Sequence, residues 1–305
     1  MMQRLRHWLG VQHMGRRMTI AVPLLWLVLF FLVPFLIVLK ISFSVGILAM
    51  PPYAPMIEWT REQVIAIRLH LSNFQFLFTD ALYADAFLYS VKVAAISTAL
   101  CLLLGYPMAL GIARSAPARR SVLLMLVILP FWTSFLLRVY AWIGLLKDDG
   151  LINNVLQWLH LISSPIHMVN TSFSVYVGIV YSYLPFMVLP LYSNLEKHDP
   201  TLLEAAADLG APPWKRFVRI TWPLSVPGVI AGTMLVFIPA VGEYVIPTLL
   251  GSANQLMIGR VLSDEFFENR DWPVASAVAI AILLLLLIPT VIFQRYNRRE
   301  LENAS

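Results

Sequence analysis

Apolar residues gather into six long runs separated by short polar connections. The runs cover approximately residues 18–44, 87–113, 122–146, 173–195, 226–250 and 274–294. Each reaches or exceeds the roughly 20 residues a helix needs to cross a bilayer. The first run follows a basic arm, residues 1–17, with Arg4, Arg6, Arg16 and Arg17. It is too long for a secretory signal and lacks a small-x-small cleavage pattern, so it reads as an uncleaved span. The pattern predicts an all-α integral membrane protein with six transmembrane helices in one domain, residues 18–296, and a short tail, 297–305. The connection from Gly46 to Asp85 is long and carries Pro51, Pro52 and Pro55. No soluble domain, low-complexity segment or internal repeat stands out.

Composition agrees. Of 305 residues 59% are hydrophobic and 13% charged, against about a quarter charged in soluble domains. The single cysteine, Cys101, excludes an internal disulfide. The placement of charge says more than its sum of +5. One alternate set of connections holds fourteen Lys and Arg residues, grouped at Arg4 to Arg17, Arg114 to Arg120, Lys197 to Arg219 and Arg295 to Arg299; the other holds five. The positive-inside rule then puts both termini in the cytoplasm, together with the connection 197–223. The outer connections carry ten acids, Asp264 and Glu265 among them. Such a face concentrates cations at an entrance, or the acids are merely tolerated there.

The connection 197–223 is a charged island with its own grammar. Asp199 can cap a helix and Pro200 suits its first position. Leu202, Leu203, Ala206 and Leu209 fall at helical spacing. Gly210 can close the helix in the left-handed conformation. Pro212 and Pro213 force a new direction, and a second short helix can start near Trp214. The prediction is a bent helical knob outside the membrane.

Within the spans, Glu243 is the only acid, and a charge at that depth is by default a functional candidate. Pro239, Gly242 and Pro247 loosen its helix, as happens where a helix lines a cavity. Its carboxylate can meet an ammonium group in transit, with Tyr244 adding cation–π contact. It can equally pair with Arg138: counted at 1.5 Å per residue along straight helices, both lie roughly 25 Å from the cytoplasmic side. Trp132, Tyr181 and Tyr183 are candidates for a gate, or ordinary packing and interface anchors. Ala275, Ala277, Ala279 and Ala281 suit close helix contact, within the chain or between subunits. There is no H-E-x-x-H, phosphate-binding loop or nucleophile elbow. Neither a catalytic nor a metal site is expected, and ATP, if used, is bound by another chain.

Glu204-Ala205-Ala206, Gly210, Ile220 and Pro223 have the spacing of the loop signature of importer permeases in the ATP-binding-cassette superfamily; Trp222 stands where Leu is usual. The segments Ala94 to Thr98, Gly105 to Pro107, Ile128 to Ser134, Arg138 to Trp142, Phe237 to Glu243, Ile258 to Arg260 and Asn269 to Pro273 resemble, more narrowly, the permease subunits of bacterial polyamine importers. The resemblance covers nearly the whole chain after Met18. It implies a type I importer permease fold in the bacterial inner membrane, with Glu204, Ala205, Ala206, Gly210, Ile220 and Pro223 as the coupling element. The implied partners are a second, related permease, two copies of a cytoplasmic ATPase that binds ATP and Mg, and a periplasmic polyamine-binding protein. Putrescine is the foremost substrate, with spermidine as the other candidate; no nucleic acid is involved. The other readings are an importer permease for another small solute, a stand-alone carrier or channel, and an integral-membrane enzyme. The last lacks a His, Asp or Glu constellation at a membrane face.

Overall fold

The computed structural model describes residues 11–55, 57–59, 65–67 and 69–303. Arg4 and Arg6 of the basic arm and the last two residues of the tail lie outside these. The chain forms two compact units. One is built from the described residues up to Thr79 with Glu265–Ala281; the other from Asp80–Asp264 with the described residues from Ile282 on.

In the first unit α1, Val11–Leu27, runs through a widened turn, Val28–Leu32, into α2, Val33–Ser42. The Val33 amide reaches back to the Val28 carbonyl. The widening comes directly before Pro34, whose ring would otherwise strike the carbonyl one turn back. Side chains from Ile20 to Val33 are exposed, so this span buries almost nothing against its own unit. A small antiparallel hairpin, β1 Ile57–Trp59 and β2 Ile65–Ile67, and an isolated bridge between Gly46 and Tyr53 depart from the otherwise all-α structure of the described residues. Helix α3, Ser72–Thr79, is fastened by the Asn73 amide, which donates to Ser42 O at 2.9 Å and Ser44 O at 2.8 Å. Those carbonyls end α2 and would otherwise lack partners.

In the second unit α4, Ala81–Ala113, begins six residues before the expected start at 87, because the Asp80 carboxylate accepts from Leu82 N at 2.9 Å and caps it. The expected third span, 122–146, is broken. Helix α5, Pro117–Ile128, tightens into a 3-10 turn, Leu129–Trp132. Thr133 and Ser134 are extended before α6, Phe135–Leu146, and α7, Leu151–Trp158. The axes on the two sides of the break differ by 90°. Helix α8, Ser172–Leu195, is continuous. Then come α9, Thr201–Asp208, and α10, Pro213–Arg216. The second helix of the knob does not stay short. It passes through a widened turn, Phe217–Thr221, again just ahead of a proline, Pro223, into α11, Trp222–Val241. The fifth apolar helix therefore begins at Pro213 instead of about 226, and it stops at Val241 short of 250. Helices α12, Val245–Leu250, and α13, Ile258–Ser263, follow; the last helix, α14, Trp272–Asn303, belongs to the first unit up to Ala281 and to the second from Ile282.

The core of the second unit is where α4, α8 and α11 cross, around Met187, Val188, Leu191 and Val236, all fully buried. In lipid there is no hydrophobic gain from joining apolar helices, so close packing must hold them. Glycine supplies the closeness. A Cβ on Gly232 would lie 2.7 Å from the Met187 sulfur, and one on Gly178 would lie 2.8 Å from Ile246 and Leu250.

Candidate functional site

The knob between Asp199 and Pro223 is built by local chemistry. Asp199 Oδ1 accepts from Thr201 N at 2.9 Å, and that amide holds the Asp199 carboxyl below the ordinary carboxylate range. At the other end Gly210 takes φ +77°. Gly210 N donates to Ala207 O at 2.8 Å and Ala211 N to Ala206 O at 3.0 Å, the paired bonds of a Schellman cap. Leu203 and Ala206 are half-buried, whereas Leu202 and Leu209 are exposed, so the expected stripe divides between two faces. Leu209 is 88% exposed and Trp214 is 74% exposed. Glu204 and Ala205 lie on the open surface beside them, and Ile220 is half-buried. Behind the knob Leu203 and Ile220 help line a cleft of about 360 Å³, rimmed by Arg114, Arg120 and Glu196. Arg120 pairs with Glu196 at 3.2 Å across its mouth. Trp222 packs on Tyr106, ring centroids 5.3 Å apart, and more loosely on Phe217 at 6.5 Å. The larger ring is absorbed into an aromatic cluster at the root of α11, beside Pro223.

The second candidate centre is the break between α11 and α12. Glu243 is 7% exposed, and its carboxylate is an acceptor in every bond it makes. Oε1 accepts from Val245 N at 3.1 Å and Ile246 N at 3.3 Å, and Oε2 from the Tyr183 hydroxyl. Glu243 therefore caps α12 from inside the membrane domain. A break there frees backbone groups that lipid cannot satisfy, and two serines do the same service further on, at the end of α12 and the start of α13. Ser174 Oγ donates to Leu250 O at 2.7 Å, and Ser90 Oγ accepts from Ile258 N at 2.7 Å. Gly259 of α13 lets its backbone approach the Gly242 and Glu243 carbonyls, where a Cβ would collide.

Arg138 and Glu243 form no ion pair. The straight-helix count that put them together fails because both helices break, at Thr133–Ser134 and at Gly242–Tyr244. The Arg138 guanidinium lies over the rings of Phe131 at 5.1 Å and Phe135 at 5.7 Å, and its Nε is buried without a hydrogen-bond partner. A ladder of rings joins the two charges instead. Tyr183, bonded to Glu243, packs on Phe186 at 6.0 Å, and Phe186 meets Phe131 edge-on at 5.2 Å. Tyr181 meets Trp142 at 5.3 Å and does not join this ladder. Tyr244 is exposed, and Trp132 is 75% exposed and apart from the others. In the second unit Asp264 faces Arg260 at 3.8 Å; in the first, Glu265 accepts from Asn269 at 3.0 Å. Phe131 and Gly259 lie within the blocks of resemblance and Ser90 just before one, but Ser174 and Phe186 lie in none and had no signal in the sequence.

Residues 101–303 match the family model described as "binding-protein-dependent transport system inner membrane component". The chain is 40% identical over 285 residues to the spermidine/putrescine transport system permease protein PotB of Haemophilus influenzae, covering 93% of this chain and 94% of that one. It is 39% identical over 275 residues to the protein of the same name in Escherichia coli, covering 90% and 94%. Its fold matches a chain of a bacterial alginate ABC transporter crystallised with its alginate-bound periplasmic protein. That match has a TM-score of 0.68 at 18% identity and covers 96% of this chain and 98% of that one. A family signature over two thirds of the sequence, relatives aligned nearly end to end, and an importer fold around a capped loop helix place this chain in the family of binding-protein-dependent inner-membrane transport permeases.

Proposed function

We propose that the chain is one of two membrane subunits of an ATP-driven importer that carries a linear polyamine, putrescine or spermidine, into the cell. The substrate class follows the relatives, whose alignment runs through both candidate centres. The observation that carries the coupling role is the bare apolar rim of the knob. Leu202, Leu209 and Trp214 stand exposed around a rigidly capped helix, with Glu204 and Ala205 between them. A surface of that kind needs a protein cover, and an ATPase cleft supplies one. ATP and Mg belong to that partner, since this sequence has no phosphate loop. The charge distribution puts the knob and both termini on the cytoplasmic side, and the bent pair α5–α7 counts as the third of six crossings. The other partners are a related permease and a periplasmic binding protein. Glu243, Tyr183, Tyr244, Arg138, Trp132 and Tyr181 mark the translocation path, and Asp264 and Glu265 its outer approach. The test is reconstitution. Chain, sister permease, ATPase and binding protein together should accumulate radiolabelled putrescine in proteoliposomes on ATP addition. Uptake by the chain alone, without ATP, would mark it as a carrier or channel.

A further inference from the structure

A cleft of about 310 Å³ opens on the second unit between the first turns of α4 and the segment leading into α13. Helix α4 contributes Leu82, Asp85, Ala86 and Tyr89; the facing wall is Asn254 to Leu256. Asp85 and Tyr89 are four residues apart on one helix, so their side chains stand on the same face. The phenol is fixed in place: its hydroxyl donates to Gln255 Oε1 at 2.9 Å, and Ser172 Oγ donates to the same oxygen at 2.6 Å. Asp85 is different. Its carboxylate is exposed and has neither a hydrogen bond nor an ion pair among the described residues. No Lys, Arg or His lines the cleft.

This is a defined chemistry: one bare carboxylate, one immobilised ring, two amide side chains, and an apolar floor of Leu82, Ala86 and Leu256. An anion finds no counter-charge here, and a purely apolar ligand would strand the acid. A primary ammonium on a methylene stem satisfies every part. Its charge meets Asp85, its head lies against the Tyr89 ring, and its methylenes cover the apolar residues. At this volume, the lower end for ligand pockets, the cleft takes one head group and a short stem. We propose that it is a docking site for a primary alkylammonium group at the outer side of the permease. The inference rests on the polyamine reading and on the orientation given above, which puts the start of α4 outside. The group has two sources: one end of a diamine just released, or a lysine of the periplasmic binding protein.

The test uses the complete reconstituted transporter with Asp85→Asn, Asp85→Glu and the reporter Asn254→Cys. Cys101, the chain's own cysteine, is buried and stays silent to thiol reagents. If the diamine docks, Asp85→Asn slows uptake about five- to tenfold, the scale of an exposed charge contact plus a cation–π contact. The half-saturating concentration of binding protein stays fixed, Asp85→Glu restores uptake, and putrescine slows maleimide labelling of Asn254→Cys only while Asp85 is present. If a lysine docks, the half-saturating concentration of binding protein for ATPase stimulation rises by about the same factor, and the binding protein protects the cysteine where putrescine does not. Either pattern supports the site. Both readouts within twofold of wild type, with no protection by either probe, would overturn it. A wild-type complex that hydrolyses ATP yet moves no polyamine would instead refute the polyamine reading.

Discussion

Glu243 offers the sharpest test of how this fold is held, because its three bonds can be removed in steps. Glu243→Ala leaves the amides of Val245 and Ile246 and the Tyr183 hydroxyl without their acceptor in a buried place. Each stranded group costs about 1–3 kcal/mol. Allowing for relaxation and for some water entry, the total is about 3–5 kcal/mol. Glu243→Gln keeps one carbonyl oxygen for the two amides, and its new NH₂ can donate to the Tyr183 oxygen. The exchange of a carboxylate for neutral bonds then costs about 1–2 kcal/mol. Tyr183→Phe removes a single bond and costs about 1 kcal/mol. The order of stability is therefore wild type, then Tyr183→Phe and Glu243→Gln close together, then Glu243→Ala well below. The assay is the apparent unfolding midpoint of the purified, detergent-solubilised complex, read by fluorescence-detected size exclusion after heating. For chains of this size about 1 kcal/mol moves a midpoint by roughly 2–4 °C. Glu243→Ala should fall by about 6–20 °C. In the double-mutant cycle, Tyr183→Phe should cost nothing further once Glu243 is Ala. Should Glu243→Ala match wild type, or the two changes add, the carboxylate does not cap α12 and the account of this break is wrong.

Three further outcomes follow from other positions. Gly210 has φ +77° and open space where a Cβ would go, so Gly210→Ala should cost only about 1 kcal/mol of backbone strain and keep most transport; Gly210→Arg, thrusting a charged chain into the rim around Leu209, should leave ATPase activity uncoupled from putrescine uptake. Gly232→Ala drives a methyl to within 2.7 Å of the Met187 sulfur and should lower the yield of monodisperse protein by forcing α8 and α11 apart, with partial recovery on pairing it with Met187→Ala. Asp199 has its carboxyl lowered by the Thr201 amide, so its capping contribution is complete above the ordinary carboxylate range and fades only as pH falls through its folded value; the protection of the Thr201 amide, its exchange rate divided into the intrinsic rate at each pH, should be flat from pH 8 to 5 and fall on stronger acidification, and Asp199→Asn, still a cap, should remove that acid dependence.

The long helices were legible because runs of apolar residues leave a chain in lipid little choice. The knob was legible for another reason: Asp199, Gly210 and the pair Pro212–Pro213 are residues whose local geometry is nearly forced. The breaks were not. Pro107, Pro185, Pro190, Pro227 and Pro239 sit inside unbroken helices, while the third span parts at Thr133–Ser134. A proline loosens a helix, but whether it parts depends on who takes up the freed backbone groups. At Thr133 the residue's own hydroxyl bonds Pro130 O at 2.8 Å. At Gly242 the helper is Glu243, and where α12 ends and α13 begins the helpers are Ser174 and Ser90, both distant in sequence. Depth counted along straight helices inherits this blindness, which is why Arg138 and Glu243 looked like a pair. The division of Leu202 and Leu209 from Leu203 was hidden likewise, since helical spacing cannot say which faces the rest of the chain covers.

The ladder between those two charges has a mechanical consequence. A direct salt bridge in a low-dielectric site is hard to open, because parting it leaves two uncompensated charges at about 3–5 kcal/mol. Here each charge has its own local contacts, Glu243 with α12 and Tyr183, Arg138 with the faces of Phe131 and Phe135 although its Nε has no hydrogen-bond partner. What links them is ring against ring, Tyr183 to Phe186 to Phe131, at about 0.5–1.5 kcal/mol per contact and with tolerant geometry. Helix α8 carries two of those rings and lies against both broken spans. It can therefore shift relative to the 3-10 turn without stranding a charge, while two directional bonds tie it to α12: the Tyr183 hydroxyl to Glu243 and the Ser174 hydroxyl to Leu250 O. A subunit that must change shape in every cycle gains from an acid and a base tied by sliding contacts in place of a lock.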